Sequence, residues 1–524
     1  MTPVRTLLAA AVLVLAVLAV NAPTLDYGFV YDDQAVVLDR APFWEQGWAG
    51  FFGQRQWGTG RHVAALSFDL NRSDPPSARP YHLTNTALAV VLTLLVFALA
   101  RSLGMQAGAF VAALLFAVHP THTDAVVSII GRAETMAALC TVAIVLLHAR
   151  GYPPRRLGLG VAALLMLAGL GSKENAAVAV LLIGLYDAVL GSPLEGRARL
   201  APYAALAVGA LGWLAINAGH FGSLDPIAYV DNPLAFMATY ERVPRAALVL
   251  WRYLGLVLLP VGLVPDRAYA ATDPELRAGI VALIALAVAA AGLWMLRRRF
   301  PRATFCMAWF PVSFAATANL LYPIGVVMAE RLLLLPSVGP LLAIGLLFDS
   351  ALSRGRAVRW VAWPVAALAT LTLAFAYDAR ARVWSDDMHY HRVAAMESPR
   401  SAKAHYNLGL ALARAGNFVA AETSFRRALS IYPSFSLAAY YLQGVLLDQM
   451  RPEDAAEVWY AYLRVEPNDT AAMSQLVALE LSLDRFDAAR ATARRMTELE
   501  PDKPEYRGLL QQVEEYAAVN QVSP

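Results

Sequence analysis

The chain has 524 residues, 58% of them hydrophobic and 16% charged, with a formal net charge of +3. Soluble domains carry about 25% charged residues, so a wholly soluble enzyme is excluded. No basic stripe is interleaved with aromatic residues, which excludes a nucleic-acid partner. Forty of the 43 basic residues are Arg, the usage of a GC-rich genome. Cys140 and Cys306 both lie in apolar runs, so neither a disulfide framework nor a zinc site is indicated.

From Met1 to about Tyr377 apolar runs alternate with short loops, beginning near Thr6, Leu83, Ala107, Thr135, Leu157, Ala176, Leu200, Ala246, Ala278, Ala303, Leu332 and Val358. A helix of about 20 such residues crosses a hydrocarbon layer about 30 Å thick. The sequence therefore predicts an all-α chain, with a polytopic helical membrane domain over residues 1–377. The first run is either the first span or a signal peptide ending at "VNA", and both readings send the loop after it to the non-cytoplasmic side.

Lys and Arg collect in cytoplasmic loops. "ARGYPPRR", "EGRAR", "RRRFPR" and "SRGRAVR" are the basic loops. Placing them inside leaves outside the loop 23–81, "HPTHTDAVVSIIGRAE", "GSKEN", "FGSLDPIAYVDNP", "YPIGVVMAER" and the polar tail. Twelve crossings would return the tail to the inside. One run should therefore not span, and Arg245–Pro265, with Arg252 in its middle, is the candidate, leaving eleven spans. The outer face would be periplasmic in a bacterial inner membrane, or lumenal in the endoplasmic reticulum of a eukaryote. The runs carry almost no ionisable residue in their interiors, unlike ion-coupled transporters.

In the first outer loop, "GFVYDDQAVV" sets Asp32 and Asp33 side by side. Adjacent residues of an extended segment point opposite ways, so the two are poorly placed to share a proton. One can serve as a general base while the other is held by hydrogen bonds or salt bridges; the plain alternative is a solvated turn. "FWEQGWAGFFGQ" comes next, with Trp44, Trp48, Phe51 and Phe52 at helical spacing, and reads as an amphipathic helix at headgroup level.

The second cluster is "HPTHTDAVVSIIGRAETMAAL". His119 and His122 are two potential ligands without a third, which favours capping and hydrogen bonding over metal. Asp124, Arg132 and Glu134 stand beyond them, and the planar fork of Arg132 suits phosphate or carboxylate. "GSKEN" supplies Lys173, the sole Lys before the tail, and Glu174. "MAERLLLLPSVG" supplies Glu330 and Arg331. Taken singly, Lys173 is equally a snorkelling interfacial residue and Glu330–Arg331 an interfacial ion pair. Taken together, an acid, several cations and an interfacial helix share one face. A base can take the proton of an acceptor hydroxyl, and cations can bind an anionic phosphate leaving group. A single base without a second nucleophilic carboxylate argues for inversion.

After a linker at 378–397, residues 398–524 repeat with a period of 34, marked by Pro399, Pro433, Pro467 and Pro501. Leu408, Gly409, Ala421, Phe425, Ala428 and Pro433 stand at tetratricopeptide spacings. Leu442, Ala455 and Trp459 mark a second unit, Leu476 and Ala489 a third, and a capping helix starts near Pro504. Such arrays bind extended peptides in a concave groove; a packing module without ligand is the alternative. From Asp378 to Pro524 there are 16 basic and 20 acidic residues, against 27 and 20 before Asp378.

"FVYDD", "HVAALSFDLNR", "YHLTNTALAVVLTLLVF", "HPTHTDAVVSIIGRAETMAAL", "SKENAAVAVLLIGLYD" and "ERLLLLPSVG" stand in one order ahead of the repeats. In this the chain resembles the transmembrane and tetratricopeptide-repeat-containing O-mannosyltransferases (the TMTC family). The resemblance implies a GT-C glycosyltransferase fold and a polyprenyl- or dolichyl-phosphate sugar donor, with mannose as the expected sugar. It also implies Ser/Thr of a protein acceptor, with no cofactor or divalent metal required. Asp32 and Asp33 then correspond to the catalytic acids. His119, His122, Asp124, Arg132, Glu134, Lys173, Glu174, Glu330 and Arg331 correspond to the residues around the donor. The aromatic residue usual in the family's "ER-x-LYLPS" is replaced by Leu334, and three repeats are few for the family. A GT-C enzyme acting on lipid or polysaccharide, and a non-enzymatic repeat scaffold, are the competing readings.

Overall fold

The computed structural model describes residues 2–53, 60–220, 227–265 and 276–520, and every regular element among them is helical. The apolar runs account for most of it, because in hydrocarbon a backbone must satisfy its own hydrogen bonds. The helices form two compact units that divide between Tyr390 and His391.

The first unit contains α1 (Pro3–Asn21), α2 (Phe43–Gly53), α3 (His62–Asp69), α4 (Arg79–Ser102), α5 (Ala107–Ala117), α6 (Thr123–Val126), α7 (Arg132–Ala149) and α8 (Arg155–Leu170). It continues with α9 (Val178–Leu190), α10 (Ala201–Ile216), α11 (Thr239–Leu258), α12 (Leu276–Leu296), α13 (Pro301–Ser313), α14 (Val338–Ser353), α15 (Arg356–Ala381) and the start of α16 (Asp387–Glu397). Its core lies where α4, α5, α7, α9, α13 and α14 meet, with Val96, Val145, Leu182, Phe305 and Trp309 all buried. Small residues bring the helices close, as in membrane bundles. A Cβ at Gly108 of α5 would stand 1.9 Å from the Gly345 carbonyl oxygen of α14, so glycine alone fits that crossing.

Among the described residues six helical stretches are long and apolar enough to cross a membrane: Pro3–Asp26, Arg79–Ser102, Arg132–Ala149, Gly196–Ile216, Leu276–Leu296 and Arg356–Trp384. A seventh would be Ala107–Ala117 with Pro120–Val126, bent by 51°. The sequence reading expects eleven. The difference arises because several runs fold as shorter helices, 16 residues in α8 and α14 and 13 in α9 and α13. The run at Leu332 begins as a turn and becomes helix only at Val338, past Pro336, which cannot donate a backbone hydrogen bond. The Arg245–Pro265 run lies largely in α11, which carries Glu241, Arg242, Arg245 and Arg252 and is not among the six.

The loop 23–81 is largely structured. α2 forms where the aromatic spacing predicts it, with a break at Gly47, whose φ of 67° is open to glycine. Phe51 is buried, whereas Trp44, Trp48 and Phe52 are exposed. Residues 378–397 comprise the end of α15, a 3-10 turn at Arg382–Trp384, and α16.

The second unit stacks α17 (Ala402–Arg414), α18 (Phe418–Ile431), α19 (Ser436–Asp448), α20 (Pro452–Val465), α21 (Thr470–Ser482), α22 (Phe486–Leu499) and α23 (Pro504–Asn520) as antiparallel pairs. Ser401, Asn417 and Asp469 cap helix starts by accepting the backbone N–H groups of Ala404, Ala420 and Ala472. A Cβ at Gly409 would meet the Phe425 ring at 2.6 Å, which explains the small residue at that register. Ala421, Phe425, Ala428 and Trp459 are buried as the repeat pattern requires, and α23 closes the stack with Val513.

Candidate active site

Loops after α1, α8 and α13 meet the N-terminus of α7 around a cleft of ≈ 270 Å³. Asp32, Arg61, Glu134, Lys173, Glu174 and Arg331 line it on the charged side. Thr317, Tyr322, Ile324 and Val326, from the segment after α13, also line it, together with Ile130 and Leu332. Five of the eleven residues singled out in the sequence therefore come together: Asp32, Glu134, Lys173, Glu174 and Arg331.

The two aspartates part company. Tyr31 takes a left-handed backbone at φ 57°, and a short π-helical turn spans Gln34–Leu38. The segment is thus a tight turn rather than the expected extended one, but the acids still face apart. Asp32 is exposed and lines the cleft. Asp33 is buried, and its two oxygens accept the N–H groups of Val30 (3.0 Å) and Ile130 (3.1 Å). Burial pushes its carboxyl up to about 7, opposed by those two N–H groups and assisted by the nearby Asp32 and Asp387. Asp33 ties the loop to Ile130, just ahead of α7, and Asp32 is presented to the cleft.

Each cation of the cleft is oriented by a carboxylate. Arg61 donates from Nε (3.0 Å) and Nη2 (2.9 Å) to the two oxygens of Glu174, a fork only arginine provides. Lys173 is ion-paired with Glu134, whose other oxygen accepts from the Asn175 amide. Burial lowers the Lys173 pKa from the ordinary amine value, against the pull of Glu134. The Arg331 backbone N–H donates to Asp124 Oδ2 (2.9 Å), and its guanidinium lies 3.6 Å from the same oxygen. Burial works against that charge, but Asp124 and then Asp32 outweigh it and keep Arg331 protonated. Gly131 permits the assembly, since a Cβ there would stand 2.5 Å from the Asp124 carbonyl oxygen.

The remaining sequence candidates lie elsewhere. Arg132, read as a phosphate fork, is fully buried and does not line the cleft. Its guanidinium donates to Asn85 Oδ1 (2.6 Å), the Ser67 carbonyl (2.6 Å) and the Tyr81 carbonyl (3.0 Å), with Phe68 and Tyr81 rings beside it. It pins the first loop to α4 and α7 instead of facing a ligand. His119 bonds Thr121 Oγ1 (2.7 Å) and the Val257 carbonyl (3.0 Å); His122 bonds the Phe116 carbonyl and Ser337 Oγ (2.9 Å each). Both rings are structural ties outside the cleft. Among the described residues no group of three or more His, Cys, Asp or Glu could hold a metal ion. Glu330 accepts the Val264 N–H (2.6 Å) and lies 3.4 Å from Arg380, away from the cleft. Arg61, Asn175 and Tyr322 are lining residues that the sequence does not single out. Arg61 directly precedes "HVAALSFDLNR", but nothing in its spacing distinguishes it from any other loop arginine.

Tetratricopeptide-repeat models match residues 402–435 and 446–513. The protein O-mannosyl-transferase Tmtc3 of Drosophila melanogaster is 28% identical over 377 residues, covering 62% of this chain and 40% of that protein. Tmtc2 of the same organism, also called a protein O-mannosyl-transferase, is 33% identical over 45% of this chain and 27% of its own length. Tmtc1 is 27% identical over 80% and 61%. The likeness is to the TMTC protein O-mannosyl-transferases. The chain spans between 27% and 61% of the length of these three relatives.

Proposed function

We propose that the chain is a GT-C-type membrane glycosyltransferase that moves mannose from an isoprenoid-phosphate donor to Ser/Thr hydroxyls of a protein. The observation that carries this reading is the placement of exposed Asp32 in one cleft with Arg61, Lys173 and Arg331. The names of the similar proteins support the sugar and the acceptor class.

In this reading Asp32 is the general base and takes the proton of the acceptor hydroxyl. The hydroxyl oxygen forms a bond to C1 of the sugar as the bond from C1 to the phosphate oxygen breaks, which inverts C1. The electron pair leaves on the isoprenoid phosphate, where Lys173 and Arg331 stabilise the added charge. Such fixed charges outside bulk water are worth more than in water. The step balances without a metal ion. The repeat unit holds the acceptor polypeptide, and the active face and repeats are non-cytoplasmic.

The test supplies purified protein in lipid with polyprenyl-phosphate mannose and a Ser/Thr-rich peptide, with and without EDTA. The reading expects an α-linked mannosyl-peptide from a β-linked donor, unaffected by the chelator. Sugar appearing only in a lipid-linked product would replace the protein acceptor with a lipid one. No transfer from any lipid-phosphate sugar would favour a non-enzymatic scaffold.

A further inference from the structure

Tyr31 immediately precedes Asp32 and has a left-handed backbone, a region that side-chain-bearing L-residues disfavour. This turn is what separates the directions of Asp32 and Asp33. The turn needs an external hold, and the structure supplies one from the far end of the first unit. The Tyr31 N–H donates to Asp387 Oδ1 at 2.8 Å, across 356 residues of sequence. The Tyr31 ring stacks on Tyr390, with centroids 5.4 Å apart and planes at 25°. Tyr390 is itself buried against Trp384 at 4.7 Å. At the start of the loop the Gly28 N–H donates to the Ser385 carbonyl at 3.1 Å. Ser385 to Tyr390 therefore forms a strap that grips the acidic loop at two backbone positions and one ring.

We propose that Asp387 and Tyr390 are positioning residues that aim the Asp32 carboxylate into the cleft by holding Tyr31 in its left-handed turn. Neither residue lines the cleft, so neither touches substrate there. Asp387 also adds negative field at the loop, since it is among the groups that raise the Asp33 carboxyl. The assignment rests on Asp32 being the base. Released from the strap, Tyr31 relaxes toward an ordinary conformation and carries Asp32 out of line, while the cations that bind the donor phosphate stay in place.

Transfer kinetics in full-length protein test this with Asp387→Ala, Asp387→Asn, Tyr390→Ala and Tyr390→Phe. The alanine variants are expected to lower kcat by about 10-fold or more, because a misplaced catalytic group loses its alignment, with the donor KM within about twofold. The Asn and Phe variants should stay within about threefold of wild type, since an amide oxygen still accepts the Tyr31 N–H and a phenyl ring still stacks. Wild-type kcat in both alanine variants overturns the proposal. So does an Asp387→Asn loss as large as that of Asp387→Ala, which would make the charge rather than the hydrogen bond responsible. Deuterium exchange over residues 28–34 gives a readout free of activity. Faster exchange in Asp387→Ala, with the repeat unit unchanged, supports the strap even if wild type transfers no sugar; unchanged exchange overturns it.

Discussion

Lys173, in the turn after α8, is ion-paired with Glu134 in the first turn of α7, and the two side chains are only 15% and 1% exposed. Removing one member of a buried pair strands the other charge, at a cost of about 3–5 kcal/mol. Glu134→Met should therefore lower the melting temperature of the membrane unit sharply. The double variant Glu134→Met/Lys173→Met should recover most of that stability without recovering transfer. Thermal denaturation in detergent, beside a transfer assay, checks both halves. Full recovery of transfer in the double variant would remove Lys173 from the donor site.

Arg132 offers the opposite expectation. Its guanidinium is committed to Asn85 and to the carbonyls of Ser67 and Tyr81. Arg132→Lys keeps the charge and loses the fork, leaving buried acceptors unsatisfied at about 1–3 kcal/mol each. The variant should be markedly less stable, yet the fraction that remains folded should keep the wild-type donor KM. A selective rise in KM at unchanged stability would return Arg132 to the binding site.

For Arg331 the prediction is selective. Its backbone N–H to Asp124 is kept by a lysine, so Arg331→Lys should fold normally. The lysine lacks the planar fork, and one charge-assisted hydrogen bond fewer, at about 1.5–3 kcal/mol, should lower kcat/KM for the lipid-phosphate sugar at least 10-fold. Steady-state kinetics against donor concentration provide the check.

Asp33 makes stability depend on pH. Its carboxyl holds its proton up to about 7 in the folded protein, against an ordinary value of 3.8. The folded state thus binds more protons across that interval, and stability falls as pH rises through it. The contribution is complete below about pH 4 and gone above about pH 7. The melting temperature of wild type should drop between pH 5 and pH 8 by more than that of Asp33→Asn. Equal slopes in the two proteins would place the Asp33 carboxyl in its ordinary range.

The repeats are readable in sequence because their packing is local. Gly409 faces Phe425 within one helical hairpin, so a fixed spacing records the contact. The acids, Lys173 and Arg331 are also readable, as chemistry stranded in loops between apolar runs. Their pairing is not. Glu134 meets Lys173 across 39 residues, and Asp124 meets Arg331 across 207. No spacing rule reaches that far. Arg132 misleads for a related reason: a guanidinium in a loop suggests a ligand, but the oxygens that surround it come from separate segments. Span number is blurred because hydrophobicity does not reveal that α9 and α13 stop after 13 residues. The left-handed turn at Tyr31 leaves no mark in the sequence.

If Asp32, and not Asp33, is the base, transfer by Asp32→Asn beside Asp33→Asn shows it most directly. Loss of a general base costs about 10²–10⁴ in rate. Asp32→Asn is expected to lose that much kcat with wild-type melting behaviour, whereas Asp33→Asn should lose stability first and retain transfer in proportion to the folded protein. Near-normal turnover in a folded Asp32→Asn protein would contradict the account.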